Sequence, residues 1–308
     1  LVEYDPRMEL RSIERNQLGI ALRDALARKE FSLAYQPIAC AVTGEVLGFE
    51  ALLRWQRTGV GLVPPTTFIP IAEAEGLMPE IGQWALFEAC RAAAGWPQAL
   101  KVAVNLSATQ FSDGDLAGKV RAALAETGLP PSQLELEITE GLLIEDADQA
   151  VDILQELRSV GVRIAMDDFG TGFSSFTYFR KFPFDKVKID QSFVKDMIGS
   201  RQAMAIVSAM IDLSRSLDIV VVAEGVETAE QLEVLAELGC HQVQGFVIGM
   251  PRPDRQNAHL TAKTGLPPLQ CHGICGDCRD RVPALSACRS PDLQATINVG
   301  PRPMIRAA

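Results

Sequence analysis

Between residues 33 and 248 the chain alternates a short apolar run with a longer amphipathic stretch, about eight times over. The runs cover residues 33–38, 46–55, 100–106, 134–138, 162–169, 186–189, 220–223 and 243–248. Several of the intervening stretches carry helix starts and stops. Residues 146–160 are closed by Gly161, residues 201–217 keep a helical apolar face, and Thr228 caps a stretch that ends at Gly239. Strand then helix, repeated this often in about 220 residues, predicts an α/β fold of the TIM-like (β/α)8 barrel type rather than an open sheet.

Flanking segments read differently. In residues 9–29, Leu10, Ile13, Leu18, Leu22 and Leu26 recur near helical spacing among charged residues, so residues 1–30 are expected to be a leading helix or linker. The barrel is expected over residues 31–263. Residues 264–308 are rich in Pro, Cys and Arg without a periodic face, and are expected to be disordered. The tail holds Cys271, Cys275, Cys278 and Cys288 with one short C-x-x-C pair, which favours an oxidisable tail over a zinc site. Cys40, Cys90 and Cys240 lie in patterned segments and read as reduced core thiols. The first residue is Leu1, which suggests a piece of a longer protein with further domains upstream.

Charge and hydropathy remove some function classes. With Lys+Arg 29 against Asp+Glu 39 the net charge is −10, which argues against binding long nucleic acid through a basic stripe. No run reaches the roughly 18–20 apolar residues of a membrane span, and no signal peptide opens the chain, so a cytoplasmic location is expected. A small anionic ligand held through divalent cations remains compatible with the acidic surplus.

The chemistry lies where the apolar runs end. Glu50, Asn105, Glu137, Asp167 with Asp168, Lys188 with Asp190, Glu224 and Gln244 each close or follow a run, and a barrel gathers such positions at one mouth. A single carboxylate there is ordinarily a helix cap or a solvated loop residue. Seven strands sharing the habit make coincidence a poor account. So many carboxylates repel one another unless a cation sits among them, and oxygen-only donors suit Mg²⁺ or Mn²⁺, with Ca²⁺ as an inhibitory look-alike. Adjacent Asp167 and Asp168 offer a bridging oxygen and a separate ligand, the provision needed for two ions about 3.5–4 Å apart in displacement at phosphorus.

Those residues stand in motifs that resemble a known family. Glu50-Ala51-Leu52-Leu53-Arg54-Trp55 is similar to the motif that names the EAL domain, the cyclic di-GMP phosphodiesterases. Asn105-Leu106-Ser107, Glu137-Ile138-Thr139-Glu140, Asp167-Asp168-Phe169-Gly170-Thr171-Gly172, Lys186-Val187-Lys188-Ile189-Asp190, Ala223-Glu224-Gly225-Val226-Glu227 and Gln244-Gly245-Phe246 follow in the family's order and spacing. Together they are highly specific, whereas Glu-Ala-Leu alone is not.

The resemblance implies a barrel whose first strand is antiparallel, and hydrolysis of cyclic di-GMP to linear pGpG. By matching position, Glu50, Asn105, Glu137 and Asp167 would hold one metal, with Asp167 bridging to a second held by Asp168. Lys188 would orient or help deprotonate the attacking water, which suits an amine whose pKa a cationic site lowers, and Glu224 would be a ligand or base. Gln36, Leu53, Arg54, Asp190 and Gln244 would contact the substrate. Arg54 shares strand parity with Glu50 and Leu52, so its guanidinium can face the mouth and clamp a phosphate.

Glu140, Gly170, Thr171, Gly172 and Glu227 would support the loop after the aspartate strand, where the glycines permit a tight turn. The family also implies a homodimer and an upstream sensory or GGDEF-type domain. One departure is Cys240-His241, where the family commonly has Cys-Asp. Two further readings stand beside the enzyme: a catalytically silent EAL receptor for cyclic di-GMP, and a divalent-metal TIM-barrel phosphohydrolase of another substrate. Met204, Met210, Trp84 and Trp96 read as packing.

Overall fold

A computed structural model of the chain describes residues 6–111, 114–142, 147–171, 182 and 184–254. Gly172 and the cysteine-bearing tail lie outside the described residues. In chain order the strands are β1 (Phe31–Cys40), β2 (Val46–Arg57), β3 (Gly61–Val63), β4 (Lys101–Leu106), β5 (Leu134–Thr139), β6 (Arg163–Phe169), β7 (Lys186–Ile189), β8 (Val220–Ala223), β9 (Gln242–Gln244) and β10 (Arg252–Pro253). Eight of them close a ring in the order β1, β2, β4, β5, β6, β7, β8, β9, with β9 returning to β1. Short β3 and β10 hang on β2 and β1.

β1 is antiparallel to both ring neighbours, while the other pairs within the ring are parallel. The cause is local. Only residues 41–45 separate β1 from β2, Gly44 takes φ +66°, and its N–H returns to the Cys40 carbonyl, so the connection is a hairpin with no room for a crossover helix. Register then sets Gln36 opposite Glu50 across this pair, and Ile38 opposite Gln244 on the other side.

The helices are α1 (Pro6–Ala25), α2 (Pro65–Ala74), α3 (Met78–Ala94), α4 (Ala108–Phe111), α5 (Leu116–Thr127), α6 (Ala147–Val160), α7 (Gln191–Asp196), α8 (Arg201–Ser216) and α9 (Ala229–Glu237). Their starts follow from side-chain caps: Asp115 accepts from Gly118, Ser200 from Ala203, and Thr228 forms a reciprocal capping box with Gln231. The layer between helices and strands is apolar and closed to solvent, with Leu134, Leu136, Ile164, Met166 and Val187 facing residues such as Leu86, Val120 and Leu154. Burying each such side chain contributes roughly 1.5–3 kcal/mol. Cys40, Cys90 and Cys240 are buried and not joined in disulfides, and burial raises the Cys90 pKa to about 12.

Inside the ring the pattern inverts. Ile38, Ala103 and Val222 form a small apolar plug, with polar groups on either side of it. On one side Lys186 Nζ pairs with Glu135 Oε1 at 2.6 Å beside buried Gln242. Two residues further along the same strands come Glu137, Lys188 and Gln244, because a strand repeats its facing every second residue. At Gly48 a Cβ would come within 2.5 Å of the Lys101 carbonyl, so the β2–β4 approach needs glycine.

Two boundaries differ from the apolar pattern. The last run ends as a strand at Gln244, since any Cβ on Gly245 would meet the Val226 backbone at 2.2 Å and the chain turns there, Gly249 N–H reaching the Gly245 carbonyl. β3 and β10 are three and two residues long, too short for a periodicity to register.

Candidate active site

The C-terminal ends of the parallel strands converge on one ammonium group. Lys188 Nζ, on β7, lies 2.7 Å from Glu137 Oε2 (β5), 2.6 Å from Glu224 Oε1 (just after β8), 3.2 Å from Asp167 Oδ1 (β6) and 3.5 Å from Glu50 Oε2 (β2). The lysine is 1% exposed. Glu50 is fixed from both sides: Asn105 Nδ2 donates to its Oε1 at 2.7 Å and Gln244 Nε2 to its Oε2 at 2.6 Å. Gln244 Nε2 also reaches Gln36 Oε1 at 3.2 Å, and Gln36 Nε2 reaches the Gly249 carbonyl at 3.4 Å.

At the end of β6 the backbone is bent. The β6–β7 register shifts between Met166 and Phe169, and Asp168 takes φ +54°, a left-handed conformation that costs a non-glycine residue about 1–2 kcal/mol. That bend, with Asp168 N–H on Asp167 Oδ1 at 2.9 Å, brings both neighbouring aspartates to one side. Carboxylate oxygens of Asp167, Asp168 and Glu224 come within 4.8 Å of one another. Thr171 closes the turn by donating N–H and Oγ1–H to the Asp168 carbonyl, and Gly170 N–H faces Glu140 Oε2 at 3.4 Å.

Electrostatics follow from four carboxylates around one ammonium, with Asp168 adjoining them. Desolvation would lower the Lys188 pKa, but Asp167, Glu137, Glu224 and Glu50 outweigh it and hold it well above the usual lysine value. The lowered amine expected at Lys188 is therefore not produced by the protein's own groups, which push the other way. Burial drives Glu137 well above the carboxylate range, and drives Glu224 to about 8, against the pull of Lys188 in each case. Burial also raises Asp168, helped by Asp167 and Asp190. Glu50 is the exception: despite its burial, Lys188 and the Gln244 and Asn105 donors hold it low.

This donor set fits hard divalent cations. It is oxygen-rich, it carries an excess of negative charge, and Glu137 Oε1 is buried without a hydrogen-bond partner. Asp167, Asp168 and Glu224 are placed to hold an ion, with Glu50, Glu137 and Asn105 adjoining.

A cleft of about 320 Å³ opens over the cluster, lined by Gln36, Glu50, Asp167, Lys188, Glu224, Glu227 and Gln244 among the expected residues. It is also lined by Leu52, Gln191, Gly225 and Phe246, which had no assigned role. Phe246 is 55% exposed at the lip. Strand parity with Glu50 could have found Leu52. Four of the expected residues have contacts of their own. Leu53 packs with the Trp55 and Phe68 cluster outside the ring, so its side chain is turned away from the cleft. Asp190 accepts from Ser192 N–H as the cap of α7. Glu227 is tied through its backbone N–H to Gln231 Oε1. Arg54 is half-buried, donates Nη1–H to the Leu53 carbonyl at 2.9 Å and feels Glu50, while burial lowers its pKa. The departure at position 241 has a structural counterpart: His241 Nδ1 accepts the Val221 N–H at 3.0 Å, so the imidazole serves as an acceptor for β8.

Comparison with known proteins adds the family. The EAL domain profile matches residues 20–251. An uncharacterized signaling protein of Caulobacter vibrioides is 51% identical over 240 residues, 78% of this chain and 30% of its own length. The bifunctional diguanylate cyclase/cyclic di-GMP phosphodiesterase MucR of Pseudomonas aeruginosa is 44% identical over 257 residues, 82% of this chain and 38% of its own. The chain thus spans about a third of the length of these curated relatives. The solved PaMucR phosphodiesterase in complex with c-di-GMP superposes with a TM-score of 0.75 at 45% identity, covering 78% of this chain and 99% of that one. With its barrel, its motifs and these matches in agreement, the chain belongs to the EAL domain family, in which relatives are named cyclic di-GMP phosphodiesterases.

Proposed function

We propose that this chain hydrolyses one phosphodiester bond of cyclic di-GMP to linear pGpG. The observation that carries the reading is the convergence of Glu50, Glu137, Asp167 and Glu224 on Lys188 beneath an open cleft, with Asp168 clustered beside Asp167 and Glu224. That a homologous barrel was solved with c-di-GMP supports the substrate.

Divalent ions held by the carboxylates would supply Lewis-acid charge to the phosphoryl oxygens and a more acidic water. The chain's own residues divide the remaining work. Arg54 holds a phosphate oxygen, and Gln36 and Gln244 line the cleft in which the nucleotide lies. Asn105 and Gln244 keep Glu50 in one orientation. Lys188 orients the attacking water and neutralises charge gathered at phosphorus, and Glu224, 2.6 Å from Lys188 Nζ, stands beside it as ligand or proton acceptor. One phosphorus–oxygen bond forms, the bond to a ribose oxygen breaks, and that oxygen takes a proton from solvent, balancing the one given up by the attacking water.

The resemblance further carries a homodimer and an added sensory or GGDEF-type domain, and the match's covering only 30% and 38% of the relatives' own lengths supports the latter. Among the described residues no helix is long and apolar enough to cross a membrane. Anion-exchange chromatography of cyclic di-GMP incubated with the chain and Mg²⁺ or Mn²⁺ tests the reading. A pGpG peak that chelator abolishes is expected. Unchanged substrate with retained binding would replace hydrolysis by reception.

A further inference from the structure

All four polar atoms of Glu30 that can bond are engaged, and they join two parts of the molecule. Its N–H goes back to the Ala25 carbonyl at 3.0 Å, while Lys29, at φ +57°, sends its own N–H to the Leu26 carbonyl. This pair of bonds with a left-handed residue between them is a Schellman closure of α1, formed here without glycine. Beyond it, the Glu30 carbonyl accepts the Gln56 N–H at 2.8 Å. Its carboxylate accepts Trp55 Nε1–H at 3.0 Å on one oxygen and the Thr58 N–H at 3.1 Å on the other. Helix end and strand end therefore share one residue.

The strand end in question is the mouth-side end of β2, which carries Glu50 and Arg54. Arg54 lies between Leu53 and Trp55, and both of those point outward into a cluster with Leu22 and Ala25 of α1 and with Phe31 and Phe68. Trp55 is fully buried there, its ring 5.7 Å from Phe68 and 6.2 Å from Phe31. α1 is pinned again by Arg23 to Glu75, at the end of α2. Where the backbone passes Arg54, its outer side is thus held by α1, and Glu30 is the polar link.

We propose that Glu30 is a positioning residue that locks the end of α1 to the end of β2 and thereby fixes the strand end from which Arg54 projects. The attitude of α1 becomes an input to substrate binding. This rests on the reading that Arg54 holds a phosphate of cyclic di-GMP. Glu50 lies four residues deeper in the ring and is held by Asn105 and Gln244, so it stays in place when the strand end loosens.

The chemistry of the clasp supplies its test. A carboxylate presents two acceptors to two donors, whereas an amide presents one acceptor and one donor, so in Glu30→Gln a donor faces a donor. Expected in the full 308-residue chain is a KM for cyclic di-GMP raised about fivefold or more with kcat within twofold, and loss of amide-exchange protection at Thr58 but not along β4–β6. In a Trp55→Phe background one donor is gone, and adding Glu30→Gln should raise KM no further. Should Glu30→Gln fail to fold, Trp55→Phe alone reads the same contact.

An unchanged KM, or a fall in kcat with KM intact, would overturn the proposal in favour of a purely structural role. Absence of turnover by the wild-type chain would instead overturn the hydrolase reading. Amide exchange then still decides the clasp, unaltered protection at Thr58 in Glu30→Gln defeating it.

Discussion

Lys188 Nζ stands 2.7 Å from Glu137 Oε2 at the mouth-side layer of the ring, both side chains essentially closed to solvent. An ammonium in that position is both a counter-ion and a reactant-facing group. Removing one partner of a buried ion pair costs about 3–5 kcal/mol when the other remains charged. With Lys188 removed, the surrounding carboxylates would have to take up protons or cations.

Lys188→Met should therefore lower turnover about 10²-fold or more while changing affinity for cyclic di-GMP less than tenfold. Paired chromatographic rates and calorimetric titration, the latter with Ca²⁺ to suppress turnover, check this. Equal losses in rate and affinity would reassign Lys188 to substrate binding.

Divalent ions should stabilise the fold, because binding to the native state alone adds about 2.7 kcal/mol at a hundredfold excess over Kd. For a domain of this size that corresponds to a rise in Tm of roughly 5–10 °C. Asp168→Asn, which removes one of three clustered carboxylates, should abolish most of the rise in Mg²⁺ or Mn²⁺ without lowering the chelator-treated Tm. A wild-type Tm indifferent to these ions would remove the cation site.

The His241 acceptor predicts a graded series. His241→Ala leaves the Val221 N–H without its partner and should cost about 1–2 kcal/mol in chemical denaturation. His241→Asn, which brings an acceptor oxygen, should recover part of that. Equal losses in the alanine and asparagine variants would contradict the assignment.

At Glu30 the sign runs through a depressed carboxyl. Hydrogen bonds from Thr58 and Trp55 hold its pKa below the usual glutamate value, over a smaller opposing push from burial, with Arg28 assisting. Its contribution is present above the unfolded value of about 4.3 and is lost as pH falls through the lower folded value. The stability difference between wild type and Glu30→Gln should be constant near pH 6–7 and shrink below about pH 4.5, measured by urea unfolding.

Much of this protein is decided by local sequence. Apolar runs separated by capped helical stretches specify the ring of strands, and charged or amide residues closing those runs specify the mouth, because strand direction alone brings run ends together. The reversal of β1 was also local, in five residues around Gly44 that admit no crossover. Tertiary structure decided what periodicity cannot express. That Leu53 turns outward and Leu52 inward depends on α1 and α2 covering one side of β2. The second polar layer of Glu135, Lys186 and Gln242 is visible only once a closed ring leaves those alternate positions no solvent to face. Glu30 and His241 look like ordinary surface residues in the sequence; backbone N–H groups from distant segments, brought to them by the fold, give each its role. The Lys188 charge state is the plainest case, because a pKa is the sum of fields from four strands that meet only in three dimensions.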